Sequence, residues 1–201
     1  MRKQLVILTA AALALAGIQA FASTQATGTN TVSPTLVVNV TVQNAIQLTL
    51  ATGTTCAVNA GGGGDYNVNL GTVDALAVAS PTCGLKFAPT TPGTTSAVYY
   101  TDYKVTPTFT SESTTNNTIT AYVSTNFGKA NLSIVQASSS PSVIGDLTAM
   151  STNVAAQTSL ATNTASGTAI TRYVGVSVAP TNAAGLTGAD AATITYTLTV
   201  N

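Results

Sequence analysis

Between Leu36 and Leu50 the chain alternates apolar and polar positions with a period of two. The even positions read Leu36, Val38, Val40, Val42, Asn44, Ile46, Leu48 and Leu50, and the odd positions are mostly Asn, Thr and Gln. That period places the even residues on one face of a strand. Only Asn44 interrupts the apolar face. A single strand of this length would reach ~50 Å at about 3.3 Å per residue, longer than most strands. A break near Gln43 and Asn44 is therefore expected, with both segments keeping the same inward face.

Further along, Ala60 to Asp65 holds four consecutive glycines. A phosphate cradle would need a helix after it and usually a lysine, whereas a strand-like Tyr66 to Leu70 follows, so a surface loop is expected. Pro81, Pro89, Pro92 and Gly93 mark loops around Cys83. From Ala97 the alternation resumes, with Tyr99, Tyr103, Val105 and Phe109 on one face and Asp102, Lys104 and Thr108 on the other. A turn cluster, Thr114 to Asn117, leads to a returning strand with Ile119, Ala121 and Val123, and the pair reads as a hairpin. Leu132 to Val135 reads as a short strand, and Ser138 to Ser166 as a short helical turn or a long loop. Ile170, Val174, Val176 and Val178 alternate again, and Asn182 to Gly188 is a turn region. Thr193 to Val200 then places Thr and apolar residues in strict alternation. Many short strands and no convincing amphipathic helix predict an all-β antiparallel sandwich. A membrane barrel would want regular spans of about ten residues and aromatic girdles. With 5% aromatic residues and no Trp, the chain offers little for those.

The start of the chain reads as a targeting segment. Arg2 and Lys3 precede an apolar run from Leu5 to Ile18, and Ala20-Phe21-Ala22 supplies a small-residue cleavage site before Ser23. The run is short for a membrane span, which takes about 20 residues. The expectation is a leader at residues 1–22 and a single sandwich domain at 23–201, exported to the periplasm, cell surface or medium. Removing the leader leaves four Lys and Arg against six Asp and Glu.

Composition narrows the function. Only 6% of residues are charged while 45% are hydrophobic. A basic stripe for nucleic acid is missing, so no nucleic-acid partner is expected. With no His and one Glu, acid–base catalysis has a poor inventory, and a nucleophilic Ser would lack its usual base. The acids Asp65, Asp74, Asp102, Glu112, Asp146 and Asp190 are scattered one by one and read as solvated surface positions. No metal, cofactor or catalytic residue is expected. In an oxidising compartment Cys56 and Cys83, the only cysteines, pair as a disulfide, with two free thiols as the alternative. Other chemistry is thinly supported: a Lys104–Asn cross-link assisted by Glu112, sequons at Asn39, Asn116 and Asn131, and a sugar platform at Tyr99, Tyr100 and Tyr103.

The order of these features resembles secreted pilus and coat subunits of the spore coat protein U type. The resemblance rests on the leader, the alternating Leu36–Leu50, Cys56-Ala57-Val58, Leu70-Gly71-Thr72-Val73-Asp74, and Ala184-Gly185 leading to the Thr/Val strand ending at Val200. It covers the two ends of the mature chain better than its middle. The chain departs from the pattern in its longer Gly-rich insertion and in lacking an aromatic before the Gly of the apolar-Gly-Thr step. The resemblance implies an immunoglobulin-like, pilin-like sandwich completed by a donor strand from a neighbouring subunit. It also implies self-association or related surface subunits as partners, with a periplasmic chaperone and an outer-membrane usher for assembly. Residues 23–42 are the candidate donor extension, and Leu36, Val38, Val40 and Val42 its plugs; the alternative is that this segment is the first strand of its own sandwich. A monomeric adhesin binding a glycan or protein is the rival function.

Overall fold

The computed structural model describes residues 38–41, 45–60, 66–110, 116–181 and 185–200. The chain divides into two units, Met1–Val42 and Gln43–Asn201. Of the first unit, residues 38–41 are described; none lies in a strand, and Val38 and Val40 are 74% and 73% exposed. The leader, the plugs Leu36 and Val42, the expected break at Gln43–Asn44, the four glycines and Glu112 lie outside the described residues.

The second unit is an all-β antiparallel sandwich. Its larger sheet is built on β5, Ala97–Phe109, with β10, Ile170–Val178, along one side, followed by β7, Leu132–Ala137, and the two-residue β8, Thr148–Ala149. The other side of β5 is shared. β1, Ile46–Thr52, pairs with its second half, and β4, Leu85–Phe87, with its first. The smaller sheet runs β11, Thr193–Val200, then β6, Asn117–Thr125, then β9, Thr158–Thr162. A two-residue pair, β2 at Asn59–Ala60 with β3 at Tyr66–Asn67, stands apart. Pro107 sits inside β5 because the ladder to β10 has ended at Val105 by that point, where a missing N–H costs least.

Period two did its work on faces. Tyr103 and Val105 of β5 meet Ile119, Ala121 and Val123 of β6 and Leu160 of β9 in the core between the sheets. Leu48 and Leu50 pack there too, so the inward face expected for the first strand holds over β1, although Ile46 is exposed. Neighbours were less legible. β5 and β6 are not a hairpin: they belong to different sheets, so the chain crosses the sandwich between them. The stretch Ser138 to Ser166 holds a single 3-10 turn at Ile144–Asp146, then β8 and β9. The 3-10 turn covers the outer face of the larger sheet, where Leu147 and Ile144 pack on Val98, Tyr100, Val135 and Ala137.

Cys56 and Cys83 form a disulfide with Cα atoms 5.2 Å apart. Its position follows from the shared edge of β5. β1 leaves that edge at Thr52 opposite Tyr103, and β4 rejoins it at Leu85 opposite Tyr100. The gap falls at Thr101 and Asp102. There Cys56 N donates to Thr101 Oγ1 at 3.3 Å, and the Asp102 carboxylate accepts from Thr54 N at 2.7 Å and from Thr55 N and Oγ1. The loop thus closed crosses to the inner face, where Leu70, Val73, Ala75 and Ala77 cover Ala97, Tyr99 and Val178.

Candidate functional site

Among the described residues the smaller sheet has three strands and the larger one six, so the smaller does not cover its partner. The closed loop just described covers part of the remainder. Between that loop and β11 the described residues leave the larger sheet open as a groove of about 1910 Å³. Its floor is Val174 and Val176 of β10, Leu132 and Ile134 of β7, and Leu48 and Leu50 of β1; Ile194 and Tyr196 of β11 form one wall. These core-facing apolar side chains are only half-buried, whereas Val105, Ile119 and Ala121 deeper in the same core are fully buried. An apolar seam left this open is unusual for a sandwich, since each half-buried aliphatic side chain forgoes part of the about 1.5–3 kcal/mol that full burial supplies.

The wall of the groove is also an edge. β11 pairs with β6 on one side and, among the described residues, with nothing on the other. Eight residues long, it alternates exposed Thr193, Thr195, Thr197 and Thr199 with half-buried Ile194, Tyr196, Leu198 and Val200. It carries no charge and no proline, the devices that ordinarily blunt an edge. Its one irregularity is a register shift against β6 between Thr193 and Ile194, at its first residues; of the far edges, β8 is two residues long and β9 five.

Polar groups frame the groove. At the end near Thr193, Asp190 accepts from Gly128 N, Lys129 N and Ala191 N, and Lys129 Nζ lies 4.0 Å from it. This clamp ties the turn after β6 to the loop entering β11. On the opposite wall Asp74 accepts from the backbone N–H groups of Leu76, Val78 and Ala79 and from the Tyr99 hydroxyl, while Lys86 Nζ donates to Ala77 O and Ala79 O. Two buried polar atoms, Tyr103 Oη and Asn131 Oδ1, have no hydrogen-bond partner among the described residues, and both residues line the groove.

Several sequence expectations change here. Asp102 is not solvated; it is 8% exposed and holds the turn into Cys56. Asn117, expected in a turn, is buried and latches Thr164 through both ends of its amide. Tyr99, Tyr100 and Tyr103 are all buried, so they present no sugar platform: Tyr100 stacks on Phe87 on the outer face, and Tyr103 meets Tyr196 edge-on inside. Both faces of β5 are covered from Ala97 to Tyr103, while Lys104 and Thr108 stay exposed, which alternation alone does not reveal. The Asn131 sequon has its acceptor oxygen buried, while Asn39 and Asn116 are exposed. Among the described residues no three His, Cys, Asp or Glu side chains converge as a metal site.

The acids make the pH response readable. Burial opposes ionisation of Asp74, Asp102 and Asp190, but the backbone N–H donors around each, with hydroxyls at Asp74 and Asp102 and the Lys129 ammonium at Asp190, outweigh it and hold the carboxyls below the usual range. Asp146 is held low by Ser142 and Val143. A lowered folded pKa contributes stability that is complete above the unfolded value, about 4, and is lost as pH falls through the folded values. At the other end, burial raises Tyr99, Tyr100, Tyr103 and Tyr196, so the stability linked to them is complete below about pH 10 and is lost above it. With no His in the sequence, the melting temperature is expected to stay flat between about pH 5 and 9 and to drop on both sides. Thermal melts across that range check it; a steep change between pH 6 and 7 would contradict it.

No protein family, no curated protein and no solved structure matches this chain.

Proposed function

We propose that the chain is an exported structural subunit of a cell-surface appendage or coat, and that it assembles by strand addition. Residues 23–42 of one copy enter the groove of the next and pair with the open edge of β11. The observation that carries this reading is the coincidence of two features: a seam of half-buried core side chains, and an eight-residue edge without charge or proline running beside it, unpaired among the described residues. Backbone hydrogen bonds along such an edge supply affinity, and alternate side chains fill the seam.

The extension fits in length and pattern. Leu36 to Val42 spans about 20 Å at 3.3 Å per residue, shorter than β11, with an apolar residue at every second position. Exposure of Val38 and Val40 supports a role outside their own core. The first strand of the sandwich, β1, begins at Ile46, which weighs against reading 38–41 as that strand. A donor contact of this kind is heterologous, head to tail, and so propagates rather than closes. The resemblance to spore coat protein U-type subunits, with chaperone and usher as partners, belongs to the same proposal.

Size-exclusion chromatography and negative-stain microscopy test it. The mature chain, Ser23–Asn201, is expected to form concentration-dependent oligomers or filaments, and the unit Gln43–Asn201 to stay monomeric. A mature chain that remains monomeric, or oligomers that survive the deletion, would overturn it.

A further inference from the structure

Period two sends alternate residues of β5 to opposite faces of the larger sheet. Thr101 and Tyr103 line the groove on the inner face, whereas Tyr100, Asp102 and Lys104 line a second cavity, of about 300 Å³, on the outer face. That volume lies at the small end of ligand clefts. Two glycines let the neighbouring chain come close to this outer row. At Gly53, just past β1, a Cβ would collide with the Asp102 carboxylate, and at Gly175 of β10, opposite Tyr100, it would collide with the β5 backbone.

The lining offers hydrogen bonds of both kinds. A carboxylate has about four lone-pair sites. That of Asp102 accepts from Thr54 N, Thr55 N and Thr55 Oγ1 among the described residues, which leaves room for one further donor. Two positions on, Lys104 is exposed, and among the described residues its ammonium pairs with no acid. In β10, Thr171 stands opposite Lys104 and Tyr173 opposite Asp102. Thr171 adds a hydroxyl, and the half-buried Tyr173 an aromatic wall. Tyr100, stacked on Phe87, closes the cavity from below.

Charge selects the class of ligand. One fixed carboxylate disfavours anions and one ammonium disfavours cations, so the lining suits a neutral molecule. Such a molecule donates to Asp102, accepts from Lys104 and lays an apolar face on Tyr173. A pyranose ring does all three, since each hydroxyl both donates and accepts and the ring carries C–H groups on its faces. A zwitterion matches the two charges, but a small one has no apolar face for the tyrosine and meets a carboxylate already largely engaged. We infer that the outer-face cavity binds a neutral sugar residue, held by Asp102 and Lys104 against the Tyr173 ring. The site lies on the face opposite the groove, and so it neither needs strand addition nor competes with it.

Saturation-transfer NMR on the mature chain, Ser23–Asn201, tests the assignment with the methyl glycosides of glucose, galactose, mannose and N-acetylglucosamine as probes. At least one is expected to bind with a dissociation constant on the order of 1 mM, the affinity typical of a ligand of that size. Lys104→Ala should weaken it at least about fivefold, and Lys104→Arg, which keeps a charged donor, should retain it. Tyr173→Ala should weaken it comparably. Lys104 is exposed, so its variants keep the fold even if Tyr173→Ala lowers the melting temperature. Glycine at matched concentration should leave the sugar in place. Absence of binding by every glycoside at about ten times the expected constant overturns the site. Binding that Lys104→Ala leaves unchanged overturns it too, because the sugar then sits elsewhere. Displacement by glycine overturns the sugar in favour of a zwitterion.

Discussion

Replacing both cysteines, as Cys56→Ala with Cys83→Ala, is expected to lower the free energy of unfolding by about 3–4 kcal/mol. The two cysteines are 27 positions apart in sequence, and releasing the loop restores entropy to the unfolded chain. Its consequence in the folded state is local. The bridge spans the gap where β1 leaves β5 and β4 returns, and the loop it closes covers Ala97, Tyr99 and Val178 on one side of the groove. Against the about 5–15 kcal/mol that holds a typical domain together, such a loss is large enough to leave part of the population unfolded at 37 °C. Urea denaturation with and without reductant measures it. The midpoint should fall with reductant in the natural chain and be insensitive to it in the double alanine variant. A loss under about 1 kcal/mol would mean that Asp74, Lys86 and Asp102 hold the loop without help from the sulfurs.

What could be read from the sequence was face, not neighbour. Strict alternation located β1, β5, β10 and β11 and their inward sides, because side-chain direction in a strand is a local property. Which strands pair is decided by contacts far apart in the chain, and so β5 and β6 looked like a hairpin though they lie in opposite sheets. β9 was missed since Thr158 to Thr162 offers one strongly apolar residue, Leu160, to signal its buried face. Burial on the outer face of β5 was missed for a related reason: Tyr100 is covered by Phe87, Leu147 and Tyr173, and Asp102 by Thr54, all distant in sequence. The groove belongs to the same class. Its floor and wall come from β1, β7, β10 and β11, and no short stretch of sequence reports that a seam between them stays open. The alternation from Leu36 to Val42 was legible, but the groove was not.

Changing Val38 and Val40 to aspartate in the mature chain is expected to abolish assembly while leaving the melting temperature of the subunit unchanged. The two effects separate because the same side chains sit in two environments. In the subunit they are exposed, and surface substitutions there usually stay within about 0.5 kcal/mol. In the proposed contact they enter an apolar seam among Val174, Val176, Ile194 and Tyr196. An unpaired carboxylate taken into such surroundings must either lose its hydration or take up a proton, and two of them cost several kcal/mol. Each 1.4 kcal/mol is tenfold in the association constant, so a loss of at least about a thousandfold follows. Lys129 cannot rescue the substituted plugs, since it is already engaged with Asp190 and Ala189 at the end of the groove. Isoleucine at the same two positions keeps the apolar face and should preserve assembly, because an extra methyl in an open seam has room. Sedimentation velocity at matched concentration, paired with a thermal melt, distinguishes the outcomes. Oligomers that persist with both aspartates would show that the extension is not what fills the seam.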